Sequence, residues 1–166
     1  MKHLKIFGIM AIIFFWLACN SGNDKSASDA GSPDKTIAAA KPNTGKGFGE
    51  IRNVELTDPL DETMVKKGSA IYDMKCSACH KLDGKRVVGP GFQGVTNRRK
   101  PEWIMNMITN VDVMLDKDPV AQELLEQCLT RMPNQNVSIG DARDILEFLR
   151  KNDVDTDGKK DEASKS

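Results

Sequence analysis

The sequence has few aromatic residues, no excess of charge and no long hydrophobic run. Its 166 residues include nine aromatic residues, with 24 basic residues against 24 acidic ones. Balanced charge argues against a protein that coats nucleic acid, and no run reaches the ~18 apolar residues of a membrane-spanning helix. The length favours one domain with additional segments. Four aromatic residues fall within the first 16 positions, so the remainder has few large side chains for a core.

The first 18 residues have the features of an export signal. Lys2 and Lys5 make the start basic, and a run of 13 apolar residues follows, which is the length of a signal-peptide core. This run ends at Cys19, and Leu-Ala-Cys before a polar stretch resembles the lipobox of bacterial lipoproteins. We therefore expect a signal peptide over residues 1–18 and a lipid on Cys19 that anchors the protein to a bacterial membrane, facing the periplasm. Cleavage by the ordinary signal pathway is the alternative, and it also exports the protein.

Composition divides the rest of the chain into three parts. Residues 19–60 are rich in Gly, Ala and Ser and bury too little apolar surface to offset their conformational entropy. They predict a flexible linker with a reach of about 30 Å, either to swing a domain between partners or to lift it from the membrane. Helical patterns occupy residues 61–151, which predicts one domain there. Residues 152–166 are expected to form a polar tail.

Apolar residues recur at helical spacing in four segments of this domain. The segments begin near Asp61, Pro101, Asp118 and Ser138. The apolar positions of the second segment extend to Val111, and those of the third extend to Leu129. Gly68 lies in the apolar stripe of the first, where its missing side chain allows another helix to approach closely. Since no alternating β pattern of useful length is present, the sequence predicts an all-α domain of about four helices.

The run Cys-Ser-Ala-Cys-His at residues 76–80 has the C-x-x-C-H spacing of a c-type haem attachment site. Cys76 and Cys79 can each add to a porphyrin vinyl group, and His80 can bind the iron. A zinc site would need Cys128 as well, and it would place two adjacent residues in one tetrahedron. A thioredoxin-like dithiol would follow a strand, and a structural disulfide would leave the histidine unexplained. We predict one covalently bound haem c.

Over about residues 61–151 the sequence resembles the cytochrome c domain family in its small class I arrangement. The likeness consists of C-x-x-C-H, the downstream Gly89-Pro90-Gly91, the late Met132-Pro133 and a closing helix with Phe148 and Leu149. The resemblance implies a fold in which the terminal helices cross at Gly68. It also implies that the Pro90 carbonyl accepts a hydrogen bond from the proximal imidazole and raises its basicity. Met132 matches the axial position of the family.

The distal iron ligand is constrained by the number of histidines. Removal of residues 1–18 removes His3 and leaves His80 alone, so one chain cannot supply two histidine ligands. Methionine is then the usual choice, with Met132 favoured, Met114 a rival at a helix end and an open distal site the remaining alternative. Ligation by histidine and methionine raises the reduction potential and fills both axial positions. This predicts electron transfer and no enzymatic reaction.

Two further features concern the surroundings of the haem. Trp103 is expected either to donate its indole N–H to a haem propionate or to pack in the core. Residues 75–100 contain seven basic residues and one acidic residue, a balance of +6 around the attachment site. This predicts either a solvated surface or a docking patch for an acidic redox partner. The patch would comprise Lys81, Lys85, Arg86, Arg98 and Arg99.

These features together predict a monomeric mono-haem c-type cytochrome that carries electrons in envelope respiration. A quinol-oxidising membrane complex is the expected donor, and a reductase or oxidase is the expected acceptor. Residues 98–103 and 132–136 are similar to cytochromes associated with nitrous oxide reductase, which makes that enzyme one expected acceptor and a terminal oxidase its rival. A haem sensor or peroxidase-like protein with an open distal site is the alternative function. No nucleic-acid partner is expected.

Overall fold

The computed structural model describes residues 44–157, and within this range every regular element is helical. The helices are α1 (Glu62–Lys75), α2 (Val95–Arg98), α3 (Pro101–Thr109), α4 (Val111–Lys117), α5 (Pro119–Cys128) and α6 (Ile139–Asp157). The predicted all-α class is confirmed. None of these helices is long and apolar enough to cross a membrane. The predicted signal peptide, Cys19 and residues 158–166 lie outside the described residues.

Six helices are present within residues 44–157, where about four were predicted. The second predicted helix is divided, because Asn110 leaves helical geometry between the end of α3 and the start of α4 at Val111. The helix α2 is a single turn that the apolar pattern did not indicate. Leu129 was predicted on the inner side of the third helix, but it caps α5 with a φ of 56° and is 92% exposed. A residue in the left-handed conformation ends a helix, which explains the difference.

The terminal helices α1 and α6 cross at Gly68. A Cβ atom at this position would overlap the backbone carbonyl of Asp144 on α6, so only glycine allows the two backbones to approach this closely. The predicted close approach of another helix at Gly68 is therefore confirmed. Near the end of α1, the hydroxyl of Tyr72 donates to the carbonyl oxygen of His80 at 2.6 Å. The C-x-x-C-H segment is thus held against the helical core.

The folded domain begins before residue 61, so the predicted end of the linker is too late. Residues 44–60, which we call the N-terminal segment, contact α3, α4 and α6. The fully buried Asn106 donates to the carbonyls of Lys46 and Ile51, both at 2.9 Å, and accepts from the N–H of Ile51 at 3.2 Å. A side chain at Gly49 would overlap Asn106. These backbone hydrogen bonds act together with Ile51, which is buried in the core, so the composition of the segment was misleading.

The domain also continues beyond the predicted end at residue 151, because α6 extends to Asp157. Asp153 lies in this extension and is buried. Its carboxylate accepts hydrogen bonds from the N–H of Gly94 at 2.7 Å and from the N–H and hydroxyl of Thr96 at 2.9 and 2.8 Å. A carboxylate from α6 therefore caps the N-terminus of α2. Part of the predicted polar tail is a structural helix.

A buried ionic cluster joins α6 to the N-terminal segment. Glu147 is fully buried and accepts from Arg143 at 2.5 Å, Arg150 at 2.8 Å and the hydroxyl of Thr57 at 2.5 Å. It also accepts from the N–H of Asp61 at 3.1 Å. Burial acts to raise the pKa of Glu147, but these hydrogen bonds and the charge of Arg150 together lower it below the ordinary value. The carboxylate therefore remains charged in the folded state.

We expect Glu147→Gln to lower the free energy of unfolding by about 3 kcal/mol near pH 7, since it removes the charge from a buried pair. The pKa of Glu147 is lower in the folded state than in the unfolded state. Its contribution is therefore complete above the unfolded value of about 4.3 and is lost as the pH falls through the folded value. Denaturant unfolding at several pH values should show the difference between wild type and variant shrinking in acid.

A matched control for this experiment is Asp155→Asn. Asp155 is an exposed carboxylate on the same helix and pairs with Lys151. Because solvent screens an exposed pair, its removal should change stability little at any pH. A constant difference between wild type and Glu147→Gln from neutral to acid pH would contradict the role of the Glu147 charge.

Candidate haem site

A mostly apolar cavity of about 450 Å³ lies between the C-x-x-C-H segment, α3, α5, α6 and the loop before α6. This volume falls within the ~300–1,000 Å³ of ligand and cofactor sites. The wall includes all six residues that the sequence predicted around the haem. They are Cys76, Cys79, His80, Pro90, Trp103 and Met132. The fold therefore brings together groups that lie up to 56 positions apart in the chain.

His80 is held by its Nδ1 atom, which lies 2.9 Å from the carbonyl oxygen of Pro90. A carbonyl can only accept, so Nδ1 carries the proton and the lone pair is on Nε2, the arrangement of a histidine ready to bind metal. Phe92 stacks on the imidazole, with ring centroids 4.5 Å apart. Burial lowers the pKa of His80 more than the Pro90 hydrogen bond raises it. The ring is consequently neutral near pH 7.

The two glycines beside Pro90 have separate steric roles that sequence analysis did not assign. A Cβ at Gly89 would overlap the imidazole of His80, and a Cβ at Gly91 would overlap the carbonyl of Asp83. Both positions therefore exclude a side chain, one to admit the imidazole and the other to admit the preceding loop. The presence of glycine on both sides of a proline was the available signal.

The two cysteines of the motif form one turn after α1, with the N–H of Cys79 and the N–H of His80 both bonded to the Cys76 carbonyl. Neither thiol is in a disulfide, and both are half-buried in the cavity wall. Burial raises the pKa of the Cys76 thiol, and Lys75 opposes this with a smaller effect. Each thiol can thus supply the sulfur and hydrogen that add across a vinyl group.

The zinc interpretation has no support in the part of the chain that the structure describes. No three or more His, Cys, Asp or Glu side chains are placed there to hold a metal ion together. Cys128, the extra ligand that zinc would require, lies in the cavity wall with its Sγ 3.4 Å from a guanidinium nitrogen of Arg86. The cavity instead has the apolar lining and single histidine that suit a porphyrin.

The methionines differ in their access to the cavity. Met114, the predicted rival ligand, is fully buried outside the cavity wall, and its sulfur accepts from the N–H of Phe48 at 3.0 Å. Met74 is 75% exposed. Only Met107 and Met132 line the cavity among the described methionines. Met132 lies in the irregular segment before α6, whereas Met107 belongs to α3.

Trp103 lines the cavity, but its indole N–H has a partner other than the predicted haem propionate. The indole N–H donates to a carboxylate oxygen of Asp118 at 3.0 Å. Asp118 is fully buried, and the same oxygen accepts from the N–H groups of Val120 and Ala121, which caps α5. The indole N–H is therefore committed to the helix cap, which disagrees with the predicted bond to a propionate and agrees with the alternative, packing in the core. The ring still contributes apolar surface to the cavity.

The charged residues in the cavity wall are all cationic. They are Lys75, Arg98, Arg99 and Arg131, and the wall contains no carboxylate. The guanidinium of Arg99 lies 5.4 Å from the centre of the Trp103 ring, which holds the cation against the wall. An apolar cavity with cations at its edge fits an apolar ring that bears carboxylates, as haem does.

Comparison with known proteins identifies the family. The family model of cytochrome c matches residues 65–153, which is more than half of the chain and includes both thiols, His80 and Met132. The chain belongs to the cytochrome c family. Members carry covalently bound haem and transfer electrons, so this cytochrome is a haem electron carrier with Cys76 and Cys79 at the attachment positions.

Solved structures of cytochromes are similar to this one. Cytochrome c from Rhodothermus marinus is 34% identical, with a TM-score of 0.63 over 64% of this chain and 91% of that chain. An engineered form of it is 34% identical, with a TM-score of 0.61 over 63% and 90%. The engineered form bound to a carbene intermediate is 35% identical, with a TM-score of 0.59 over 63% and 90%. No curated protein gave a significant match.

The cations predicted to form a docking patch on the cytochrome have different surroundings. Lys85 has an 84% exposed side chain and lies 3.5 Å from Asp83. Arg86 is exposed but donates to the carbonyl of Gln127 at 2.7 Å, and so joins the loop after His80 to the end of α5. Arg98 and Arg99 belong to the cavity wall. The patch therefore extends from the cavity to the loop around Lys85.

Proposed function

We propose that this cytochrome carries single electrons on one haem, with His80 and Met132 as the two axial ligands. The observation that carries the proposal is that both residues line one cavity with the two thiols. Haem supplies the one-electron couple between ferric and ferrous iron. Pro90 holds the Nδ1 proton of His80, which leaves the Nε2 lone pair to bind the iron, and Met132 would contribute a thioether that would raise the reduction potential.

The proposed ligation by His80 and Met132, which would fill both axial positions of a bound haem, is the reason to propose a carrier and no enzyme. A haem sensor or peroxidase-like protein needs an open distal site for its ligand. Here two thioether side chains, those of Met107 and Met132, line the cavity, and the histidines of the sequence are only His3 and His80. A thioether ligand leaves no coordination site for a substrate, which favours electron transfer over catalysis.

We also propose export and lipid anchoring at Cys19, with the domain in the cell envelope on the periplasmic side of a bacterial membrane. The basic start, the 13-residue apolar run and the Leu-Ala-Cys sequence support this. A quinol-oxidising membrane complex is the proposed donor. The proposed acceptor is a nitrous oxide reductase, with a terminal oxidase as the rival, and the cytochrome is proposed to act as a monomer without nucleic-acid partners.

Stopped-flow oxidation tests the proposed carrier role and its acceptor. The reduced cytochrome is mixed with purified nitrous oxide reductase and, separately, with a terminal oxidase. We expect rapid oxidation by one of them, with a rate that falls as salt brings the Debye length below about 10 Å. At low salt, the Lys85→Glu variant should be oxidised more slowly than the wild type. Rates that do not respond to salt or to this charge reversal would exclude docking through the basic residues.

A further inference from the structure

The imidazole of His80 has a second close neighbour besides the Pro90 carbonyl. The ring of Phe92 lies nearly parallel to it, with 10° between the two planes and 4.5 Å between the centroids. Both rings line the haem cavity. A separation of 4.5 Å between parallel rings is that of an offset stack. The phenyl ring therefore covers one face of the imidazole.

Phe92 is held in this place by its backbone and by its side chain. Its N–H donates to the carbonyl oxygen of Lys81 at 2.8 Å, so its backbone is fixed to the residue that follows His80. The ring of Tyr72 packs against the phenyl ring, with centroids 6.2 Å apart and planes tilted by 57°. The hydroxyl of Tyr72 in turn donates to the carbonyl oxygen of His80. The same contacts therefore hold both members of the stack in their relative position.

The hydrogen bond to Pro90 does not by itself fix the plane of the imidazole. A carbonyl oxygen accepts over a broad range of directions, so the bond at Nδ1 fixes the position of that atom more closely than the tilt of the ring. A stacked ring does fix the plane, because tilting would press the two faces together at one end and separate them at the other. Pro90 therefore sets the tautomer of His80, and Phe92 sets the orientation of its ring.

We infer that Phe92 is a positioning residue that fixes the plane of the axial imidazole, an inference that rests on the proposed ligation of the haem iron by His80. Groups that contact a metal-bound histidine set its orientation. In low-spin ferric haem, that orientation determines the g-values of the electron paramagnetic resonance spectrum. The phenyl face is also the negative part of the ring quadrupole, so it stabilises an imidazole from which ferric iron draws charge. Phe92 therefore favours the ferric state.

Phe92→Leu in the holoprotein tests this inference, because it removes the ring and keeps an apolar side chain. In the frozen ferric protein, we expect the largest g-value to shift and its signal to broaden, since the imidazole then adopts several orientations. In a potentiometric titration, the ferrous state should be favoured about threefold more than in wild type, a rise of ~28 mV at 59 mV per tenfold change. Phe92→Tyr keeps the ring and should match wild type in both measurements.

Phe148→Leu is the matched control, since Phe148 packs against the same Tyr72, with ring centroids 5.4 Å apart, and lies outside the cavity wall. It should lower the melting temperature about as much as Phe92→Leu does and leave the g-values and the potential unchanged. Equal changes in the two variants, or no change in Phe92→Leu, would overturn the inference. If Phe92→Leu does not retain its haem, Phe92→Ile decides by the same criteria.

Carbon monoxide and cyanide separate this inference from the proposed function. Binding of carbon monoxide to the reduced wild type would overturn ligation by Met132. The role of Phe92 would still be decided, because cyanide makes the ferric haem low spin whatever the native distal ligand. In the cyanide complex, the g-values of Phe92→Leu should differ from those of wild type, and those of Phe148→Leu should not. Identical g-values in all three cyanide complexes would overturn the inference.

Discussion

Met132→Ala is expected to open the distal position of the haem iron. The reduction potential should fall by on the order of 0.1 V or more, within the ~0.8 V range that axial ligands span. Carbon monoxide should bind the reduced variant, and the weak methionine-to-iron absorption band of the oxidised protein should disappear. Wild type should show the band and resist carbon monoxide. Potentiometry and absorption spectra of the purified holoprotein measure all of these effects.

Two methionines provide controls for this experiment. Met107→Ala changes the other thioether in the cavity wall, and Met114→Ala changes the buried rival whose sulfur accepts from Phe48. We expect both to keep the absorption band and to resist carbon monoxide. Met114→Ala should still destabilise the fold by about 2–5 kcal/mol, because it leaves a cavity in the core. If Met107→Ala behaves as described for Met132→Ala, the ligand is on α3.

Cys19→Ser is expected to move the whole protein from the membrane fraction to the soluble exported fraction. A serine cannot receive the lipid, and the described residues contain no helix able to cross a membrane. The haem spectrum should not change, since the substitution lies outside the domain. Fractionation followed by haem staining measures both properties. Cys128→Ser is the control and should leave the protein in the membrane fraction, whereas unchanged fractionation of Cys19→Ser would exclude this anchor.

The parts of the site that sequence analysis predicted are those carried by short contiguous motifs. Cys76, Cys79 and His80 are within one helical turn, and the Pro90 hydrogen bond follows from a family likeness to a sequence only ten residues away. Gly68 was predicted because its small size in an apolar stripe has one common meaning. Local spacing predicted the attachment residues, and the family resemblance added the roles of Pro90 and Gly68.

The parts that sequence analysis missed depend on distant partners. Asp118 was predicted to lie at the start of a helix, but nothing in the pattern indicated that its carboxylate would bind the indole of Trp103, fifteen residues earlier. The N-terminal segment was predicted as linker from its composition, whereas side chains far along the chain, Asn106 and Glu147 among them, hold it in place. Side-chain contacts between segments 15 to 60 residues apart leave no periodic signal in the sequence.

The helix α3 presents opposite faces to the N-terminal segment and to the haem cavity. Glu102, paired with Lys46 at 2.8 Å, and Asn106 are one turn apart on one face, and Ile104 and Ile108 line the cavity from the other. Mechanical tension on the chain before residue 44 would therefore load the helix from behind. Asn106 and the Glu147 cluster hold this segment and would take up the force ahead of the cavity wall, so tension from the proposed anchor at Cys19 would leave the positions of His80 and Met132 undisturbed.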